Sequence, residues 1–426
     1  MRQHLLLAIP LTAALTLAST PGQAHTASTT TGTTRGGQAT HATHFALRGS
    51  GFGTEVVGGQ VPAGSETTGH AVIGCTDVAG LDHSNEVAHV ALPGVGTANG
   101  VGSRIWTTDR NRVTASHARH SVASVDLASS GLGSLSLAAV TSGARASHDS
   151  RGFHAATATS IGAITFTPPG GGAPQTFPAP TPDQPVDIPG LATIYAGQSR
   201  TSHTSTGAVA DAYALRIDVT ATGSSLRVAH SHAEIHGGLL TGVFGGHSAG
   251  THVTTALDDT VTSGPNPLTV MPCQGTYGQV RRQALAHLDL GGQVVVRGAT
   301  SSERAAQSAA RAHGYERGSI AHLALGGGRL VVDGIVGKAT VTRTADGLRR
   351  SARGTQVGTV TVDGQVRRFP STGVLEIPGL AKLERHLVTR TSAGLRVVSL
   401  RVTLLDGSGG VVDLGTADLR IRPLSH

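Results

Sequence analysis

Large side chains are nearly missing from this chain: aromatic residues make up 3% of its 426 positions, with one tryptophan, four tyrosines and seven phenylalanines. Cores filled by broad rings are thereby excluded, and small and β-branched residues must do the filling, as suits thin, closely packed sheets. Charge is also scarce, at 14% against a usual share of roughly a quarter. Only Lys338 and Lys382 are lysines, so the net charge of +7 is carried by arginines spread singly along the chain. A nucleic-acid surface needs clustered basic groups with stacking aromatics. DNA and RNA are therefore excluded as partners, whereas an acidic cell-wall or extracellular polymer stays compatible. No apolar run reaches the roughly 20 residues that span a bilayer, so no transmembrane segment is expected in the mature chain.

What is present begins at the N-terminus. Arg2, the apolar stretch Leu5 to Ala18 and the small-x-small site Gly22-Gln23-Ala24 read as a secretory signal peptide over residues 1–24. A secreted, extracellular protein of about 400 residues follows, enough for two or three cores. Residues 25–44 are rich in Thr, Ser and Gly and read as a disordered leader. The final residues, LGTADLRIRPLSH, contain neither a hydrophobic tail nor a basic cluster, and no wall or lipid anchor is expected there.

The chain repeats itself. Ser121-Val-Ala-Ser-Val-Asp-Leu127 lines up with Ser319-Ile-Ala-His-Leu-Ala-Leu325, and Ile161-Gly-Ala-Ile-Thr-Phe166 with Val357-Gly-Thr-Val-Thr-Val362. Val186-Asp-Ile-Pro-Gly-Leu-Ala192 matches Leu375-Glu-Ile-Pro-Gly-Leu-Ala381, and Ala214-Leu-Arg-Ile-Asp-Val219 matches Ser399-Leu-Arg-Val-Thr-Leu404. Order and apolar positions are kept while polar ones vary, which defines two units, 45–237 and 238–426. The matched segments alternate apolar with polar residues between Gly, Pro, Asn, Asp and Ser, the period of half-buried strands. The expected fold is all-β, with two internally duplicated β-sandwich-like units; one continuous sheet or solenoid shared by both copies is the alternative. The alternation assigns Ala123, Val125 and Leu127, and likewise Ala321, Leu323 and Leu325, to the buried face. Ser301 to His313 looks helical by propensity, but its counterpart Thr107 to Arg119 does not. A strand is expected in both places.

These features resemble the bacterial secreted proteins called choice-of-anchor P: a small-residue strand (Ala115 to Ser124), an Ile-Pro-Gly-Leu-Ala element and a closing strand of the Ala-Leu-Arg-Ile-Asp-Val type. The resemblance implies an exported all-β architecture and no particular reaction, ligand or cofactor.

Three features could carry chemistry. Gly246-His247-Ser248-Ala249-Gly250 fits a nucleophile elbow, with Asp258 or Asp259 and His322 as triad partners in a secreted serine hydrolase. Against it, the residues after Gly250 are β-branched rather than helical, and no strand-helix alternation builds a hydrolase sheet. In addition, Gly250-Thr-His-Val253 aligns with Gly53-Thr-Glu-Val56, which sets Gly51 opposite Ser248. No catalytic residue is assigned. His230, His232, Glu234 and His236 share one face of a strand and form a candidate metal site. The duplicate puts Ala233 and Ile235 inward, so these histidines are expected on a solvent-facing outer surface, as are His117, His120, His148, His154 and His203. Cys75 and Cys273 stand at equivalent places in the two copies, and export makes oxidation available, so a disulfide between them is expected, with two separate buried thiols as the alternative. The sequence reading is thus a non-enzymatic secreted β-protein with a structural, adhesive or binding role and no cofactor. A serine hydrolase and an extracellular metal binder are the alternatives.

Overall fold

The structure, a computed structural model, describes residues 39–57, 67–92, 95–129, 131–220, 222–254, 263–290, 294–405, 407 and 409–425. The described residues all fall in one compact unit. The expected signal peptide and residues 25–38 of the expected leader lie outside the described residues. Residues 41–44, assigned to that leader from sequence, belong to the first strand.

The first half of the chain contributes β1 (His41–Val57), β2 (Ala71–Ala79), β3 (Asp82–Leu92), β4 (Gly96–Arg110), β5 (Val113–Ser129), β6 (Gly133–Asp149) and β7 (Gly152–Ser160). It continues through β8 (Ala163–Thr167), β9 (Gln175–Phe177), β10 (Val186–Ile188), β11 (Ala192–Ala196), β12 (Ser199–Thr204), β13 (Gly207–Val219) and β14 (Ser224–His236). The second half contributes β15 (Gly242–Thr254), β16 (Ser263–Val270), β17 (Arg281–Leu290), β18 (Val294–Ser308), β19 (Arg311–Leu325), β20 (Leu330–Thr344) and β21 (Gly347–Ser351). Then come β22 (Val360–Val362), β23 (Gln365–Arg367), β24 (Val374–Ile377), β25 (Ala381–Arg390), β26 (Gly394–Leu404) and β27 (Val411–Pro423).

Every pairing between these strands is antiparallel, and they make four separate sheets. Sheet A runs β10-β11-β13-β14-β1-β2 and sheet B runs β3-β4-β5-β6-β8-β9. Sheets C and D repeat those orders one for one, as β24-β25-β26-β27-β15-β16 and β17-β18-β19-β20-β22-β23. One continuous β25 does what β11 and β12 do together along β13. A packs on B to form sandwich I, and C packs on D to form sandwich II. The shared sheet or solenoid is therefore not what forms. The helix-like segment Ser301 to His313 is the end of β18, a turn and the start of β19, because cross-strand packing overrides alanine propensity; by strand register its counterpart is Ser103 to Ala115, four residues before the expected Thr107 to Arg119.

Each sandwich contains two apolar clusters. In sandwich I, one gathers Val125, Leu137, Ile217 and Leu226, and the other Leu47, Ile105, Ala146 and Ile235. In sandwich II, the corresponding clusters include Leu323, Val332 and Leu400 at one end and Phe244, Val341 and Leu419 at the other. Valine, isoleucine, leucine and alanine do the filling, as the shortage of rings requires.

One expectation about faces is corrected. Ala123 and Ala321 are exposed, whereas Val122 and Ile320 beside them are buried. Asn99 pairs Ser124 and Val101 pairs Val122, but between them Gly100 turns into the left-handed region at φ 58°. Gly298, at φ 62°, does the same opposite Ala321. A Cβ on Gly100 would sit 2.7 Å from that of Ala123. Glycine therefore lets the in-out phase of the sheet slip at this level, in the same place in both sandwiches. Val125, Leu127, Leu323 and Leu325 lie beyond the slip and are buried as expected.

A fifth apolar cluster joins the sandwiches: Ala46, Val243, Cys75 and Cys273, with Leu239 and Leu424 against it. Ala46 and Val243 are equivalent positions of the two copies, and so are the cysteines. Contact between equivalents is the signature of a two-fold, isologous interface, here within a single chain.

Candidate functional site

The pseudo-two-fold contact is closed by a disulfide. Cys75 and Cys273 are bonded, with Cα atoms 5.2 Å apart and a sequence separation of 198, as expected from their equivalent places. Cys75 sits within β2, whereas Cys273 lies three residues past the end of β16. The same position is thus reached by strand in one copy and by turn in the other.

Two clefts flank this bridge, and they are equivalents of each other. In one, of roughly 460 Å³, Glu234 and His236 of β14 face Val270 and Pro272. In the other, of roughly 430 Å³, Arg420 and Arg422 of β27 face Val72 and Gly74. The 198-residue offset of the cysteines also carries Val72 to Val270 and Gly74 to Pro272. Arg48 lines both. The same backbone thus presents carboxylate and imidazole on one side and guanidinium on the other.

The histidine row lies in the first cleft. Ala233 and Ile235 point inward as expected. His230, His232 and His236, expected to face solvent, are only 15 to 22% exposed at their side chains. Pro272 and Gln274 of the chain after β16, with Arg281, line the cleft on their outer side. Asp211, cross-strand to His232, accepts from His230 Nε2 at 3.1 Å and His232 Nδ1 at 3.0 Å. Glu234 accepts from Arg48 Nη1 at 3.2 Å, and its Oε2 lies 3.8 and 3.6 Å from the Nε2 atoms of His232 and His236.

Burial opposes charge on His232, but the hydrogen bonds to Asp211 and Glu234 outweigh it and raise its pKa to about 9. Burial likewise disfavours charge on Asp211 and Glu234. Their histidine partners, joined by Arg48 for Glu234, nevertheless hold both well below the usual carboxylate range. The row is a charge network strung along the strand rather than a convergent ligand set. Among the described residues the one group of three metal-ligating types within 4.8 Å of one another is Cys75, Glu234 and Cys273, and its two sulfurs are tied up in the disulfide.

The other histidines divide. His154 and His203 are exposed and His148 is half-buried. His117 is half-buried, stacked on Trp106 with ring centroids 4.7 Å apart, and burial lowers its pKa to about 4. His120, expected at the surface, is completely buried. It shares the inward phase of Ser116 and Ala118, bonds Ser231 Oγ at 2.8 Å, and is pushed by burial down to about 3.

His120 belongs to a polar waist between the two apolar clusters of sandwich I, where Ser231 Oγ also meets Ser142 Oγ at 2.7 Å. Sandwich II has a waist at the same level with different chemistry, and it contains Ser248. Ser248 pairs Ala417 just as Gly51 pairs Ser231, so the alignment of Gly51 with Ser248 is reproduced in the strand register. Ser248 is 0% exposed, and its hydroxyl is engaged by Thr269 Oγ1 at 2.9 Å and the Ser302 carbonyl at 3.2 Å. His322 pairs instead with Asp333 at 2.7 Å, near the surface. Asp258 and Asp259 lie outside the described residues. The structure does not bring Ser248 and His322 together, and the strand continues straight through the GHSAG motif.

Sequence reasoning missed Arg48, Asp211, Arg420 and Arg422, because an outer strand face reads alike whether it is wet or covered. It also missed Glu303 and Glu316, two acids at inward positions of sandwich II. Their counterparts in sandwich I, Ile105 and Ala118, were the available signal. No family model, curated protein or solved structure matches this chain, and no helix among the described residues is long and apolar enough to cross a membrane.

Proposed function

We propose that this chain is an exported, non-enzymatic binding protein that holds an acidic extracellular or cell-wall polymer in the arginine-lined cleft between its sandwiches. The carrying observation is that cleft. Arg420 and Arg422 line its wall with Arg48, and Val72 and Leu268, both about two-fifths exposed, give it apolar edges. Arg420 is paired with Asp418 at 3.3 Å, and Arg422 has no carboxylate within 4 Å among the described residues. A guanidinium that keeps spare donors is suited to carboxylate, sulfate or phosphate groups along a chain. The signal-peptide pattern and the disulfide agree with an oxidising location outside the cell, and the resemblance to choice-of-anchor P proteins points the same way.

The test is retention of the purified protein on an immobilised polyuronate, with neutral dextran as control. Binding should be selective for the polyuronate and weaken with salt, and Arg420→Glu with Arg422→Glu should cost at least about tenfold in affinity. Equal retention on dextran, or an unaffected double variant, removes the reading. The serine-hydrolase alternative has less support, since Ser248 is buried and its hydroxyl is engaged. Metal binding by His230, His232 and His236 is disfavoured by their spread along the strand and their engagement with Asp211 and Glu234.

A further inference from the structure

The waist of sandwich II contains an acidic pair that the fold does not require. Arg281, Glu303 and Glu316 stand side by side across β17, β18 and β19, each directly opposite the next. The same row in sandwich I is His83, Ile105 and Ala118, so an apolar pair satisfies this backbone perfectly well. Burying two carboxylates instead is costly unless something compensates them. Both glutamates are 0% exposed.

The compensation available from the protein is incomplete. Arg281 Nη1 approaches Glu303 Oε1 at 2.9 Å from a half-exposed position at the rim. Beyond Arg281, the two glutamates meet each other and Glu316 meets the Ser248 hydroxyl, which leaves their four oxygens short of donors. That hydroxyl is shared with Thr269 and the Ser302 carbonyl. Two carboxyl groups face one guanidinium, so only one of them can be balanced by a positive charge from the protein.

A second observation points at the same spot. Ser301 precedes Glu303 by two residues on the same inward face, is 0% exposed, and its hydroxyl has no partner. Directly across from it is Gly318, whose missing side chain makes room for the backbone carbonyls of Ala249 and Thr416 on the facing sheet. The sandwich I waist is built from neutral groups, His120, Ser142 and Ser231, and its Ser103, equivalent to Ser301, is likewise buried without a partner, so the acids are what sandwich II adds at this level. The donors assembled in sandwich II are all oxygens: four from the carboxylates and one each from Ser301 and Ser248. Six oxygen donors of this kind match the needs of a hard cation with flexible coordination.

We propose that the waist of sandwich II is a buried calcium-type cation site formed by Glu303, Glu316 and Ser301, with Ser248 at its edge. Burial and mutual repulsion also push both carboxyl groups upward in pKa, Glu316 strongly. A cation relieves that same strain. Arg281 then neutralises the remaining share of charge from the rim.

The test uses the full oxidised chain. Elemental mass spectrometry of the purified protein, dialysed against calcium chloride and then metal-free buffer, should find about one calcium per chain. At pH 7.5, thermal unfolding in calcium chloride rather than chelator should rise by at least about 5 °C. The rise should vanish in Glu316→Gln and shrink in the milder Ser301→Ala, while Ser103→Ala, at the equivalent place in sandwich I, should keep it. The metal content of the unaltered protein decides the matter even if Glu316→Gln fails to fold. No stoichiometric metal and no calcium-dependent rise would show that a shared proton alone serves the pair and would overturn the proposal. A rise that survives in Glu316→Gln would also overturn it, since the cation would then bind elsewhere.

Discussion

Removing the disulfide by Cys75→Ala and Cys273→Ala should destabilise the two sandwiches unequally. The bridge closes a loop of 198 residues, which in the chain-entropy account restricts the unfolded ensemble by roughly 5 kcal/mol at 25 °C. That loop runs from β2 through β16, so it takes in nearly all of sandwich I but only the first two strands of sandwich II. The loss should therefore fall mainly on sandwich I. The native junction retains Ala46, Val243, Leu239 and Leu424, and the folded arrangement has little reason to change. Trp106, the single tryptophan, lies in β4 and stacks on His117, so its fluorescence reports sandwich I alone. With a urea dependence of about 2 kcal/mol per molar, its unfolding midpoint should drop by roughly 2 M, with a smaller change in the circular dichroism of the remainder. Both sulfurs are buried, which is why substitution serves better than adding reductant to the native protein. An unchanged tryptophan midpoint, or a larger loss in sandwich II, would falsify the assignment of the bridge as a constraint on the first sandwich.

Further outcomes follow from the clefts and waists. His232 is raised to about 9 from 6.5, so its contribution is fully present below about pH 6.5 and is lost as pH climbs through 9; the interval corresponds to about 3 kcal/mol at most. Asp211→Asn should bring its titration down sharply in an NMR histidine titration, and an unmoved His232 signal would refute the network. In chelator, Glu316→Gln should be more stable than the unaltered protein at neutral pH. The sign follows because a carboxyl raised in the folded state costs stability as pH rises above about 4.5, by up to about 1.4 kcal/mol per pH unit for one proton. Denaturation at pH 5 and 8 checks this, and equal slopes for both proteins would count against the buried pair. Ser248→Ala should cost about 1 kcal/mol through its lost hydrogen bonds, and a fluorophosphonate probe should leave Ser248 of the native protein unlabelled; labelling there would revive the hydrolase reading.

The legibility of the chain depended on distance. Strand type, the duplicated strand order and the equivalent placing of Cys75 and Cys273 were all readable in sequence, because local alternation and self-similarity encode them directly. Ala233 and Ile235 were placed inward from the same comparison. Ala123 and Ala321 were misplaced because a single left-handed glycine on a neighbouring strand, Gly100 or Gly298, shifts the phase, and a one-strand pattern does not register its neighbour. His120 was misplaced for a related reason. An inward position was read as polar surface because histidine is usually polar surface, whereas Ser231 on the opposing sheet supplies a partner for it.

The sequence by itself determined the all-β class, the two copies, their common strand pattern and the equivalence of the two cysteines, since each rests on a period or an offset carried along the chain. Only the tertiary structure decided which outer faces are covered and which inner positions bear charge. Docking the sandwiches about their pseudo-two-fold contact turned one strand face into a histidine-carboxylate cleft and its equivalent into an arginine cleft. Folding sheet D against sheet C sealed Glu303 and Glu316 inside. Burial depends on what the rest of the chain brings to the other side of a strand, and alternation along that strand is the same whichever neighbour arrives.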